Sequence, residues 1–225
     1  MDLLRAARKR LKLTQKQAAV RLGVSQPYLS LLEKGERRLP PELAKKAFSA
    51  LHLPATSLPL REASARTRGD LGRQLAALGY PGFAYMRHGW RRNPADVLLA
   101  ALAKNDLESR LVEALPWLLM RYSDMDRKWL TEQARLRNLS NRLGFVVTLA
   151  KKTCERKGDT SSSTYRNLEA LEKDLQQSRL DREEVFGKSR VSPRELEWLR
   201  ENRPPEAKYW HLLTNWKPEH LQYAY

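Results

Sequence analysis

Two helix starts joined through a single glycine turn constrain the first part of this chain more than any other feature. Thr14-Gln15-Lys16-Gln17 has the form of a capping box, in which the Thr hydroxyl and the Gln amide satisfy free backbone N–H groups. Gly23 ends that helix by supplying the left-handed conformation a tight turn needs. Val24 follows as a buried plug, and Ser25 caps the next helix, with Pro27 tolerated in its first turn. That helix ends at Lys34-Gly35. Leu3, Leu4, Ala7 and Leu11 recur at helical spacing and predict an earlier helix over about 2–12. Pro40-Pro41 opens a further one over about 42–51, with Leu43, Ala47 and Leu51 inward. Helices that cross at a steep angle need a small side chain at the contact, and Ala19 supplies it. Leu29 and Leu32 face inward, which leaves Gln26, Pro27, Ser30 and Leu31 on the outer surface of the third helix.

Charge distribution separates this module from the rest. The 225 residues hold 42 Lys and Arg against 26 Asp and Glu. Residues 1–60 carry 12 basic and 4 acidic side chains; residues 61–225 carry 30 and 22. Each part has a net of +8, so charge density is about threefold higher in the first quarter. All six Trp lie beyond residue 89, whereas the first 60 residues hold only Tyr28 and Phe48 as aromatics. Such a chain reads as a small basic module followed by a larger, aromatic-rich body. The basic excess points to a polyanionic partner, most often nucleic acid. A helix with polar side chains exposed near its N-terminus can present them to base edges while neighbouring basic residues hold phosphates.

The segments Leu13-Thr14-Gln15-Lys16-Gln17-Ala18-Ala19, Gly23-Val24-Ser25-Gln26-Pro27-Tyr28-Leu29-Ser30 and Glu33-Lys34-Gly35-Glu36-Arg37 resemble the Xre-type (Cro/C1-like) helix-turn-helix domain. The resemblance covers about residues 1–55 and implies a five-helix lambda-repressor-like DNA-binding domain over 1–58. By position it gives Gln15 a phosphate and Gln26 a base, an adenine being suited to a bidentate amide. Ser30 reaches a base edge or a phosphate, and Lys16, Lys34, Arg37 and Arg38 hold the backbone. Pro27 departs from the polar residue often found there and offers van der Waals contact with a thymine methyl. Tyr28 has two readings, a hydroxyl on a phosphate or a ring packed in the domain.

Beyond residue 60 the pattern stays helical and alternating strand patterns are nearly absent, so the fold class is all-α, with a larger helical domain over 61–225. Helices are predicted over about 61–78, from Asn93-Pro94, and from Asn105-Asp106 with Leu107, Leu111, Leu115 and Leu118 in one stripe and a kink at Pro116. Ser123 is expected to cap a long stretch to about residue 155, interrupted near Gly144. Leu168, Leu171 and Leu175 form another stripe, supported by Glu169 and Lys173. Ser192-Pro193-Arg194-Glu195 reads as a capping box. The last 22 residues, from Arg203, are expected to form short helices or an extended segment. Residues 40–225, including Leu78–Phe83, Ala114–Trp117 and Arg142–Val147, resemble a group of bacterial Xre-type regulators, which implies association with a toxin–antitoxin or defence locus.

Sites for chemistry are sparse. His52, His88, His211 and His220 show no zinc-peptidase spacing. Asp124 and Asp126 read as helix-start carboxylates rather than metal ligands. Cys154 is a lone packing residue, which argues against a disulfide framework and fits a reducing cytoplasm. The Met-Asp-Leu-Leu-Arg start has no signal-peptide pattern and no stretch is apolar enough to span a bilayer. Arg135, Asn138 and Arg142 align at helical spacing, flanked by Arg137 and Asn141, as a solvated face or an intramolecular salt-bridge network, or else as a surface for an acidic partner or nucleic acid. Trp198, Trp210, Trp216, Tyr223 and Tyr225 read equally as core or as interface. The expectation is a non-enzymatic, cofactor-free, cytoplasmic transcriptional regulator. It would bind a double-stranded operator as a homodimer and repress its own operon. The alternative is an antitoxin whose C-terminal domain neutralises a protein toxin. An enzyme with a DNA-targeting domain is a third, weaker reading.

Overall fold

A computed structural model describes residues 3–60, 70–86 and 91–221. The chain forms two compact units, Met1–Glu62 and Ala63–Tyr225. Among the described residues there are twelve α-helices and two strands of two residues each; the fold is all-α, as the periodicity indicated.

The first unit holds α1 (Leu3–Arg10), α2 (Gln15–Leu22), α3 (Gln26–Glu33) and α4 (Pro41–Ala50), then a single 3-10 turn, Ala55–Ser57, as its fifth element. Every local start signal is used. The Gln17 N–H donates to the Thr14 hydroxyl (3.2 Å) and the Thr14 N–H to the Gln17 amide oxygen (2.9 Å). Gly23 ends α2 at φ +68°. The Tyr28 N–H donates to the Ser25 hydroxyl (3.4 Å). Leu4, Ala7, Ala18, Ala19, Leu22, Leu29, Leu32, Leu43, Ala47 and Leu51 share one core, with Val24 half-buried against it.

Helices of eight residues are too short to persist alone, and a buried carboxylate ties three of them together. The Arg8 guanidinium on α1 grips Glu33 on α3 with two bonds, Nε to Oε1 (2.6 Å) and Nη2 to Oε2 (2.9 Å). Its Nη1 donates to the Leu13 carbonyl (3.1 Å), just before α2. Gln15 on α2 donates from Nε2 to Glu33 Oε2 (2.9 Å). Only 3% of the Glu33 side chain is exposed. Burial by itself raises the Glu33 pKa; the hydrogen bonds from Arg8 and Gln15, with the charges of Arg8 and Arg5, outweigh it and hold the carboxyl below its ordinary value.

The second unit is built around α9 (Ser140–Arg156), which is buried on every side from Ser140 to Ala150. Around it lie α6 (Pro94–Leu102), α7 (Ser109–Arg121), α8 (Arg127–Leu136) and α10 (Ser163–Gln176). α12 (Pro205–Tyr209) and the parallel pair β1 (Glu184–Val185) and β2 (Leu212–Leu213) also pack on it or beside it. Two further helices, α5 (Leu71–Ala77) and α11 (Pro193–Asn202), complete the unit. Gly144 admits the Trp210 ring against the helix backbone: a Cβ there would lie 2.4 Å from the ring. Trp210 Nε1 donates to the Thr148 hydroxyl (2.8 Å), which meets the Glu172 carboxylate at 2.5 Å, and Lys151 closes the group by pairing with Glu172.

Several sequence expectations are corrected here. The stretch after Ser123 is two helices, broken where Asn138 adopts φ +56°, a conformation asparagine tolerates. Asp126, not Ser123, caps α8 by accepting the Trp129 N–H (3.0 Å). Gly144 lies inside α9 rather than at a break. The Arg135–Asn138–Arg142 stripe divides: Arg135 and Asn138 are exposed, whereas Arg142 takes the internal ion-pair reading. Arg142 is buried, with Nε donating to Glu184 (3.0 Å) and Nη1 to the carbonyls of Leu102 (2.9 Å) and Lys104 (3.1 Å). Asn105-Asp106 does not start a helix. Asp106 instead accepts the Ser189 N–H (2.7 Å) and hydroxyl, and α7 begins at Ser109 and runs through Pro116. Ser192 caps α11, but Glu195 pairs with Lys188 (2.6 Å) instead of closing the box. Trp210 is core, Trp198 is 49% exposed, and Tyr223 and Tyr225 lie outside the described residues, as do 61–69 of the helix expected over 61–78 and His88. Cys154 is buried, and that burial pushes its thiol pKa up.

Two stability predictions follow from these contacts. Gly144→Ala adds helix propensity worth about 1 kcal/mol but drives a methyl into the buried Trp210 ring. The net result is a destabilisation of the second unit by about 1–3 kcal/mol, read as an earlier thermal transition in tryptophan fluorescence; an unchanged or later transition would show that the ring can move aside. Glu33→Gln should destabilise the first unit by about 2 kcal/mol at pH 7, since bonds to a charged group are lost and Arg8 is left without its partner. Because the Glu33 pKa is lowered in the fold, its stabilisation is present above the ordinary value of 4.5 and is lost as pH falls through the folded value. Melting curves followed on the Ala18 and Ala19 methyl resonances should therefore converge for wild type and Glu33→Gln as pH falls through the lowered folded value. A constant gap between them would remove the carboxylate charge from the account.

Candidate nucleic-acid interface

The outer surface of α3 is set by which residues its core takes. Leu29, Leu32 and Glu33 turn inward. Gln26 and Pro27 are exposed, and Ser30 and Leu31 are half-buried on the same side of the inward residues. Ser25 caps the helix and Pro27 fixes φ in its first turn. The first turn of a helix carries free N–H groups and a partial positive charge, so α2 and α3 both begin with a bias toward anions. Tyr28 is half-buried with its ring packed against the core of the unit.

Gln15 opens α2 and is held by Glu33, so its amide is oriented before any ligand arrives. One amide hydrogen is used in that bond and the other remains for an acceptor outside. Lys16 is exposed beside it. The network could not be read from spacing: Arg8 and Glu33 lie 25 residues apart, and no periodicity links them.

The other end of α3 carries the basic rim. Gly35 turns the chain at φ +75°, and the Glu36 N–H closes onto the Leu31 carbonyl (3.0 Å). Lys34 lies just before this turn and Arg37 and Arg38 follow it, all exposed. Lys34 lies 3.8 Å from Glu36 in a loose, exposed pair of the kind that contributes little. Arg37 and Arg38 have no ion pair with a described carboxylate. An eight-residue helix is about 12 Å long, close to the roughly 12 Å width of the major groove. The polar tip at Gln26 and the cationic rim therefore stand toward opposite ends of a helix whose size the major groove admits. Lys46 on α4 was not singled out by sequence; its Nζ lies 3.9 Å from where a Gly23 side chain would begin, so it adds a cation at the turn between α2 and α3.

No described helix is long and apolar enough to cross a membrane. The described residues contain no group of three or more His, Cys, Asp or Glu placed to hold a metal ion. A family model described as Helix-turn-helix matches residues 4–58, which take in α1 to α4 and the 3-10 turn. No curated protein and no solved structure matches the chain. With the paired caps, the glycine turn and the exposed tip of α3, that match identifies the first unit as an Xre-type helix-turn-helix domain and the chain as a DNA-binding transcriptional regulator.

Proposed function

We propose that this protein is a sequence-specific repressor of its own operon, binding a double-stranded operator as a homodimer and carrying out no catalysis of its own. The observation that carries the reading is the exposed tip of α3, with a cationic rim at the other end of the helix and the Gln15 amide oriented by Glu33. Gln26 reads a base through its amide, Pro27 contacts an apolar base edge, and Ser30 meets a base edge or phosphate. Gln15, Lys16, Lys34, Arg37 and Arg38 hold phosphates, with Lys46 beside them. The Tyr28 hydroxyl is the remaining candidate for a phosphate, its ring serving the core.

Antitoxin activity is a second reading for residues 63–225. It is supported by Trp198, half exposed on α11, a residue type enriched in interface hot spots. Trp210, fully buried, does not contribute to such a surface.

Gln26→Ala should cost about 1–3 kcal/mol on the preferred duplex and relax preference at one base position. Arg37→Ala should weaken preferred and random duplexes alike and flatten the salt dependence. Selection of duplexes from a random pool, followed by titration at several salt concentrations, measures both. Equal losses on both duplexes for Gln26→Ala would take it out of base readout. Footprinting of the wild-type protein on the DNA upstream of its own coding sequence tests autorepression.

A single domain of this size reads only a few base pairs, so operator specificity calls for two copies. Dimeric binding places two copies of α3 about 34 Å apart on one face of the duplex. Selected sites should contain inverted half-sites with that centre-to-centre spacing, and light scattering should give a dimer of the full chain. A monomer that binds one isolated half-site with full affinity would refute the dimer.

A further inference from the structure

Two turns of the second unit lie side by side. Asn141, in the first turn of α9, donates to the Leu180 carbonyl (2.8 Å) and accepts the Leu180 N–H (2.8 Å). The Ser140 and Ser178 hydroxyls meet at 3.1 Å. The turn leading into α9 is thereby fastened to the turn leaving α10. Arg135 and Leu136 stand exposed at the end of α8, just before the first, Leu136 at 66%, and Arg179 and Arg182 stand exposed on the second. Arg179 reaches on to the end of α12. Its Nη1 donates to the Tyr209 carbonyl (3.2 Å) and its guanidinium lies 4.6 Å over the Tyr209 ring. Tyr209 is 44% exposed, with Lys208 exposed next to it.

Some cations of this unit are spent on ion pairs, and others, those of this surface among them, are not. Arg127, Arg142, Lys151, Lys152, Arg156 and Arg203 each pair with a carboxylate. Arg135, Arg179, Arg182 and Lys208 form no ion pair with a described carboxylate, and the nearby Glu183 is taken by Arg200 and Arg203. Asp181 is the acidic residue of the second turn. A stacked guanidinium is already ordered and keeps part of its N–H fork free for oxygen acceptors, which suits phosphate.

We propose that this surface binds the phosphate backbone of duplex DNA without regard to sequence, giving the chain a second DNA contact. The proposal rests on DNA binding by the first unit, which brings phosphate to the second at high effective concentration. An acidic polypeptide would satisfy the charges but has no regular phosphate array for the fixed guanidinium.

The test uses the full chain and a random-sequence duplex of about 60 base pairs, titrated over a range of salt. Each phosphate contact contributes about 0.9 to the slope of log affinity against log salt. Arg135→Ala/Arg179→Ala/Lys208→Ala should lower that slope by about 2–3 and weaken binding about tenfold near 0.1 M salt. The ratio of selected to random duplex affinity should stay unchanged. Arg135→Ala/Arg182→Ala/Lys208→Ala leaves the Tyr209 stack in place and should show a similar loss, so a folding defect at Arg179 cannot mimic the result. A first-unit variant, Gln26→Ala/Arg37→Ala/Arg38→Ala, should keep a salt-dependent affinity for the random duplex that the combined variant loses. A wild-type slope in both second-unit variants would overturn the proposal, as would displacement of the duplex by poly-glutamate at equal charge concentration. Wild-type protein that binds no duplex at any salt would overturn the reading of the first unit itself, a result distinct from either.

Discussion

Glu33 is the point at which three short helices stop being independent. Its carboxylate lies at the junction of α1, α2 and α3 and takes bonds from residues on both other helices. A buried charge is costly unless its bonds are complete, so the helices are held where Arg8 and Gln15 can both reach it. The apolar core supplies the non-directional attraction; the carboxylate supplies direction. It fixes the relative placement of the first residue of α2 and the last residue of α3. Those residues border the surface proposed to meet DNA, so the same bonds that fold the unit would also set the spacing of the proposed phosphate and base contacts.

The second unit solves the same problem with a longer helix and more polar anchors. α9 is buried nearly all round, yet it carries Ser140, Asn141, Arg142, Thr148 and Thr153 in its interior. The first four are satisfied by groups outside the helix, and Thr153 donates to the Leu149 carbonyl one turn back (2.8 Å). Arg142 collects carbonyls from the end of α6 and the carboxylate of β1. Asn141 holds the turn after α10, and Thr148 receives the Trp210 indole. An all-apolar α9 would pack with many neighbours; these bonds choose particular ones. Gly144 adds a steric condition, since only a missing side chain lets the indole lie on the helix backbone.

What was legible in the sequence was local. The caps at Thr14, Ser25, Asn93 and Ser192, the turn glycines at 23 and 35, and the leucine stripes of α7 and α10 are short-range choices of conformation, and each is present in the structure. What was missed was long-range. Arg142 and Glu184 are 42 residues apart, and no spacing rule connects them. The stripe holding Arg142 therefore read equally as a solvated face or as an internal ion-pair network, and only the fold names its partners, two carbonyls and the Glu184 carboxylate. The break at Asn138 was hidden for a related reason: helical periodicity continues through it, and only the demands of packing α8 and α9 separately select the left-handed conformation there. Asp106 and Glu195 show the reverse case, acidic residues that fit a local rule but bond to a more distant partner. The surface of α3 was readable because it depends on which three side chains of one short helix the core removes.

Net charge is a poor guide to where this chain meets a polyanion. Its two parts have equal net charge by residue count, yet they use their cations differently. In the first unit Arg8 is consumed internally, while Arg37 and Arg38 stand exposed beyond a glycine turn. In the second, many Arg and Lys side chains close ion pairs or collect buried carbonyls, and those charges are largely cancelled within the protein. The attraction felt by a phosphate outside comes from the cations that remain unpaired and solvent-facing, weighted by how firmly they are held. A guanidinium fixed by a stack or a turn loses less freedom on binding than one on a free side chain. On that measure the end of α3 and the surface around Arg179 are comparable as proposed phosphate sites, although one lies in a densely basic segment and the other where the same net charge is spread over a much longer stretch.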